Sequence, residues 1–305
     1  MTKEEALAEL LRTLKSADYR FVAVTPATHS RVLARPLTGP PGLRDIFGWN
    51  RAFAEGDVDR ELLALMRAAD ALDDSEGMLK SRVRVASLGD DLVLHGAFPT
   101  VANNSVFFGP DTYRFARFVE QHLPTVGAAE WLVDMGSGSG AGAIAAARVR
   151  DFSRITMVDV NDAALSLASI NARAAGVQAE ALQSDAIPDG PDVVIADPPY
   201  IIDPAGRSYR DGGGLLGGAI ALDWAEQAIA KMAPGGAMLL YTGAAFVSGN
   251  SPFLEALEAR CDEAGADLRH EELDPDLFGE ELDEAPYADV ERIAAIGAVI
   301  RVARR

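Results

Sequence analysis

Four consecutive residues, Asp197-Pro198-Pro199-Tyr200, follow the apolar run 193 to 196, and their types suit the grip of a planar amine. Two prolines fix the backbone and remove two amide donors, which leaves carbonyl oxygens free to accept. An aspartate oxygen and a proline carbonyl can together take the two hydrogens of an NH2 group, while the tyrosine ring lies on its flat face. The nitrogen lone pair is then left to face a methyl donor. Asp197, Pro198, Pro199 and Tyr200 are therefore the candidate catalytic residues, and a purely structural turn is the bland alternative.

A second stretch carries cofactor chemistry. Residues 131 to 142 read as a buried strand, a glycine-dense turn (Gly136, Gly138, Gly140) and the start of a helix. Glycine is needed where a chain bends sharply and a ligand presses on bare backbone, and a helix N-terminus adds unpaired amide donors. Gly136, Gly138 and Ala141 also satisfy the G-x-G-x-x-G/A pattern of dinucleotide-binding turns, so a nicotinamide enzyme competes on this stretch alone. The next strand ends at Asp159, 18 residues beyond Ala141, where a carboxylate can accept from both hydroxyls of a ribose. The third ends at Asp185, which could take an adenine amino group or could be a solvated loop acid. Asp134, Gly136, Ser137, Gly138, Gly140, Asp159, Val160, Asp185, Ala186 and Asp197 form the candidate cofactor-binding set. The amine clamp decides between cofactors, because hydride transfer has no use for it.

These residues need a scaffold that brings strand ends together. From Glu130 onward the chain alternates strand, glycine turn and helix, which predicts a doubly wound, seven-stranded, mostly parallel sheet with helices on both faces. Strands are expected over 130 to 135, 154 to 160, 178 to 183, 191 to 196, 237 to 243, 267 to 273 and 293 to 303. The clearest helices are expected over 162 to 175 and 219 to 232. The ligand site of such a sheet lies at the carboxyl ends of its strands.

Residues 1 to 104 read as a smaller α+β unit for substrate recognition or an accessory role, and 105 to 305 as the catalytic domain. Thr2 and Glu5 form a capping box for a first helix with Ala6, Leu10, Leu11 and Leu14 inward. Residues 30 to 50, with three prolines and three glycines, read as irregular connection, and 59 to 72 as a second helix. A hairpin is expected from 82 to 95, so that helices precede a hairpin as in a winged-helix module. His95 reads as a packed histidine, since no partner ligand lies near it. The run 271 to 284 holds eight acids and no base and reads as a solvated loop.

Bulk properties bound the partners. The formal net charge is −18 over 305 residues, with 49% apolar residues. Residues 1 to 110 carry 13 basic against 15 acidic side chains, so the catalytic part is the acidic part. That disfavours extended nucleic-acid binding and leaves room only for a local basic patch. No apolar run approaches the roughly 20 residues of a membrane span, no secretory layout opens the chain, and a cytoplasmic location without a membrane partner is expected. The single cysteine, Cys261, excludes an internal disulfide and a cysteine metal cluster, and no metal site is expected.

The turn Asp134-Met135-Gly136-Ser137-Gly138-Ser139-Gly140, Asp159, Asn171 and Asp197-Pro198-Pro199-Tyr200 resemble the class I S-adenosylmethionine-dependent methyltransferases of the small-domain group. Within it the chain is similar to the N5-glutamine methyltransferases of peptide-chain release factors, through residues 107 to 114 and the pair Gly217-Gly218. The resemblance covers roughly residues 105 to 305. It implies S-adenosylmethionine as cofactor, in-line methyl transfer to nitrogen, and a protein glutamine amide as acceptor, a release factor being the partner. Those enzymes carry asparagine where Asp197 stands; aspartate is the variant of enzymes acting on exocyclic amines of nucleobases in RNA or DNA. A base or small-molecule acceptor is the alternative, and an inactive cofactor-binding subunit the third reading.

Overall fold

The computed structural model describes residues 1–304 apart from 76, 101, 103, 204, 205 and 208. Helix α1 (Lys3–Ser16) starts on the capping box expected of Thr2 and Glu5, and buries Ala6, Leu10, Leu11 and Leu14. The stretch read as irregular contains helix α2 (Pro26–Leu33), opened by the Thr25 side chain, and a short π-helical turn over Arg44–Gly48. Proline at the first turn costs α2 nothing, because the missing N–H would be unpaired there anyway.

Helix α3 (Arg60–Ala68) is capped by Asp59 and buries Leu62, Leu63, Leu65 and Met66 as expected, but it stops four residues short of Leu72. Asp70 adopts a left-handed conformation (φ 50°) and the Ala71 amide bonds back to Met66, which closes the helix. Leu72 instead opens strand β1 (Leu72–Ser75), which pairs antiparallel with β2 (Met78–Ser81). This hairpin has no clean alternation in the sequence. The expected hairpin follows as β3 (Val83–Leu88) and β4 (Asp91–Gly96). The N-terminal elements share one apolar cluster around Leu10, Leu14, Phe47, Phe53 and Met66.

The rest of the chain builds the expected sheet. In order come α4 (Pro110–His122), β5 (Trp131–Met135), α5 (Ala141–Val149), β6 (Arg154–Asp159), α6 (Asp162–Ala174), β7 (Glu180–Gln183), β8 (Val193–Ala196), α7 (Ala219–Lys231), β9 (Ala237–Phe246), α8 (Pro252–Ala264), β10 (Asp267–Asp274) and β11 (Arg292–Arg301). The seven strands lie in the order β10-β11-β9-β8-β5-β6-β7. Strand β11 runs antiparallel to both its neighbours, and the pairings from β9 to β7 are parallel. Side chains alternate between two cores, since successive strand residues face opposite ways. Leu132, Ile155, Val193 and Leu239 face α4, α5 and α6, while Val133, Val158, Val194 and Met238 face α7 and α8.

Asn171 on α6 ties the N-terminal unit to the sheet. Its amide oxygen accepts from the Leu94 N–H at 2.9 Å, and its Nδ2 donates to the carbonyls of Leu94 and Ser139, each at 2.9 Å. One buried side chain thus pairs the hairpin edge with the glycine turn. Buried Asp91 on β4 adds ion pairs to Arg148 of α5 and Lys15 of α1.

The acidic run is not a solvated loop throughout. Its first third lies in β10, Glu281 is buried against Arg210, and Asp274 pairs with Arg114. His95 is fully buried on Phe108, with neither ring nitrogen hydrogen-bonded, and burial holds it well below the usual imidazole range, in keeping with a packed ring. Cys261 is buried on α8, and burial pushes its thiol up to about 11. Among the described residues, no helix is long and apolar enough to cross a membrane.

Candidate active site

Strands β5 and β8 are neighbours, so the turns that leave their carboxyl ends stand side by side. Between them lies a cavity of about 770 Å³, lined from one side by the glycine turn and from the other by Asp197, Pro198, Pro199 and Tyr200. Of the candidate residues, Gly140 alone lies off the wall. It is the left-handed N-cap of α5 (φ 77°) and packs behind the turn on Ala168, so it shapes the site without facing it.

The turn is held by backbone bonds that leave its inner surface bare. Gly136 and Gly138 have φ of 69° and 51°. The amides of Gly136 and Ser137 both donate to the Val158 carbonyl, and the Gly138 amide donates to Asp159 Oδ2 at 2.9 Å. Asp159 Oδ1 accepts from the Asn161 amide at 2.9 Å. Both oxygens keep a lone pair for a ligand hydroxyl. Burial raises the Asp159 carboxyl, against the pull of these N–H groups. Val160 is exposed at the rim, while Asp185 and Ala186 line the far end of the cavity.

The opposite wall is fixed by close backbone packing. A Cβ on Gly217 would stand 2.1 Å from the Tyr200 carbonyl oxygen, so only glycine lets this loop lie against the Pro-Pro-Tyr turn. The Tyr200 ring is buried and packs closely on Gly243 of β9, where a Cβ would fall 2.2 Å from its Cδ2. Phe278 meets that ring edge-on, with centroids 5.9 Å apart. The Tyr287 hydroxyl accepts from the Ile202 amide at 2.7 Å, and Arg210 pairs with Glu281, so the acidic segment straps the turn in place.

Electrostatically the floor is a cluster of acids. Asp197 opens onto the cavity but is ringed by protein; burial first, then Asp111 and Asp134, hold its carboxyl well above the usual range. Asp134 accepts from the Ala143 amide at 2.9 Å and is pushed up to about 7, chiefly by burial. Asp111 accepts from the Tyr241 hydroxyl at 2.7 Å and from Arg114 at 3.2 Å. Among the described residues, the one arginine lining the cavity, Arg210, is already paired with Glu281. This floor suits a cationic ligand. Ser137 Oγ is buried without a hydrogen-bond partner among the described residues, which marks a place for a polar ligand group.

Several lining residues escaped the sequence reading: Asp111, Tyr209, Arg210, Trp224, Gln227 and Phe278. Phe278 had a signal only in retrospect, as a bulky side chain at φ 52° amid acids. Asn171, part of the motif set, is buried away from the cavity and acts through the Ser139 carbonyl instead.

A doubly wound sheet with this strand order and a glycine turn facing a Pro-Pro-Tyr turn has the class I methyltransferase architecture. Residues 100–240 match the family model of the methyltransferase small domain. Among curated proteins the chain is similar to the release factor glutamine methyltransferase of Gloeobacter violaceus, 34% identical over 42% of this chain and 50% of that one. It is also similar to that of Lactococcus lactis, 38% identical over 23% of this chain and 27% of the relative. The chain therefore matches half or less of the length of these relatives. Among solved structures it is similar to Trm5b from Pyrococcus abyssi (TM-score 0.50, 16% identity, covering 81% of this chain and 68% of that one). A Pyrococcus horikoshii protein classed provisionally as a transferase gives a TM-score of 0.52 at 11% identity, covering 92% of this chain and all of that one. At these identities the likeness is one of fold.

Proposed function

We propose that this chain transfers the methyl group of S-adenosylmethionine to a planar NH2 nitrogen held by Asp197, Pro198 and Tyr200. The observation that carries the reading is the single cavity shared by the glycine turn and the Asp-Pro-Pro-Tyr turn. In it Asp159 would hold the ribose, Gly136 and Gly138 would let the cofactor lie on bare backbone, and Asp134 with Asp197 would offset its positive charge. When bound, the cofactor supplies an electrophilic methyl carbon on a sulfonium sulfur. Asp197 and the Pro198 carbonyl accept the two N–H bonds of the acceptor, and the Tyr200 ring fixes its plane. Positioning of this kind can supply a large share of a bimolecular barrier. The methylated nitrogen has a proton to shed, and Asp197 would take it once the positive charge of the bound cofactor has drawn its carboxyl into the ionised form.

Two acceptors present such a nitrogen. The curated relatives favour a protein glutamine amide. An aspartate in place of asparagine and a second aromatic ring at Phe278 favour an exocyclic amine of a nucleobase, the reading we adopt for the acceptor. Incubation with radiolabelled cofactor and cell extract, followed by nuclease or protease digestion, tests both. We expect nuclease-sensitive label that Asp197→Ala abolishes. Protease-sensitive label would return the acceptor to glutamine, and equal labelling by wild type and variant would sink the clamp.

A further inference from the structure

The charge of the chain is not evenly spread. Residues 19 to 54 hold five arginines and one acid, a net +4 in a chain whose remaining residues total −22. Most arginines of this acidic protein are ion-paired; Arg31, Arg35 and Arg44 are exposed and, among the described residues, have neither an ion pair nor a side-chain hydrogen bond.

The position of Arg31 bears on the site. Pro26, the first residue of α2, lines the cavity mouth, and Arg31 stands about 7.5 Å further along the helix axis. Helix α2 turns His29 inward to stack on Phe98 at 4.1 Å, which leaves Arg31 on the outer face. Two residues on from Phe98, the Thr100 carbonyl accepts from the hydroxyl of Tyr209, another cavity residue, at 2.9 Å. The 98–100 strip is itself cationic underneath. Lys80 donates to the Phe98 carbonyl at 2.8 Å. Arg84, almost fully buried, donates to the Gly96 carbonyl at 2.8 Å and to Thr100 Oγ1 at 3.4 Å and lies over the Phe98 ring. Among the described residues no carboxylate pairs with it, and burial pulls its guanidinium down to about 10. A desolvated, unneutralised cation projects its field to the nearby surface, where an anion would feel it.

We propose that α2, the loop after it and the 98–100 strip form a track for the phosphate backbone of a single-stranded polynucleotide. This places an unstacked base carrying an exocyclic amine over the cavity. A base must leave its stack to enter a pocket of this kind, so a single strand or loop is the form that fits. The inference rests on the nucleobase reading above and names the element that selects it. The surrounding negative charge makes the contact local and strongly salt-dependent.

The test uses the whole chain and three fluorescent probes: oligoriboadenylate, oligodeoxyadenylate and poly-L-glutamate. Affinity is measured by anisotropy against salt concentration. We expect binding of the ribo- or the deoxy-oligomer, the difference between them identifying the sugar, and none of polyglutamate. In the triple variant Arg31→Ala, Arg35→Ala, Arg44→Ala, the slope of log K against log salt should fall by about 2, at roughly 0.7 per lost single-strand phosphate contact. The control Arg60→Ala, Arg117→Ala, Arg173→Ala removes as many exposed, unpaired arginines and the same net charge elsewhere, and should leave the slope unchanged. Equal slopes for the two triple variants, no polynucleotide binding at low salt, or polyglutamate binding that the first triple variant loses would each overturn the proposal. Calorimetry of S-adenosylmethionine on the same samples separates the two levels. Intact cofactor affinity without polynucleotide binding removes this inference alone, whereas absent cofactor affinity removes the reading of the site.

Discussion

Asp134→Asn should stabilise the cofactor-free protein in alkali and do progressively less as pH falls. Burial holds the Asp134 carboxyl at about 7 in the folded chain, against 3.8 for an ordinary aspartate. Because the folded-state value is raised, the stability tied to this proton is complete below about pH 3.8 and drains away as pH climbs to about 7. At about pH 8 the ionised group costs the fold about 4 kcal/mol, at 1.36 kcal/mol per pKa unit. At about pH 5 only the unfolded chain is ionised and the cost is about 2 kcal/mol. Asparagine removes the pH-dependent part, keeps an acceptor for the Ala143 amide, and adds a buried NH2 that returns about 1–3 kcal/mol. That last cost is the same at both pH values. The stability change on substitution should therefore be more favourable by about 3 kcal/mol at the higher pH, about 6 °C in melting temperature for a chain of this size. Melting curves of wild type and variant at the two pH values check it. An equal shift at both, or a larger gain in acid, would show that Asp134 is not held protonated by its surroundings.

Other expectations follow from the same cavity. Asp159→Ala should weaken S-adenosylmethionine binding roughly 10- to 150-fold, the worth of one charge-assisted bond, and unchanged calorimetric affinity would remove the ribose assignment. Asp197→Ala should remove turnover while cofactor affinity stays within about tenfold, or 1.4 kcal/mol; wild-type turnover in that variant would end the amine clamp. Gly243→Ala puts a methyl group where the Tyr200 ring lies, so it should cost about 1–3 kcal/mol of stability and lower kcat more than cofactor affinity, and an unaltered kcat would show that the ring position is not needed.

The sequence by itself determined the scaffold and the two chemical turns. Apolar runs of strand length between helical stretches leave little freedom once a parallel sheet forms, and right-handed crossovers then bring the ends of β5 and β8 together. Glycines at 136, 138 and 140 and the paired prolines at 198 and 199 are local demands on the backbone, so they are legible one residue at a time. Tertiary structure alone decided the rest. Helix α3 ended early because Asp70 turns left-handed and Leu72 pairs with Ser81 in a hairpin, and β1–β2 lacks the alternation that would announce it. Asp111, Trp224 and Phe278 reach the cavity from elements 24 to 86 residues away from the Asp-Pro-Pro-Tyr turn, and nothing in their local sequence says where they point. Asn171 carries an amide whose partners, Leu94 and Ser139, exist as a pair only after the N-terminal unit has docked. The raised carboxyls of Asp134 and Asp197 belong to that class as well, since an acid's affinity for its proton depends on the water and neighbours that folding removes or supplies.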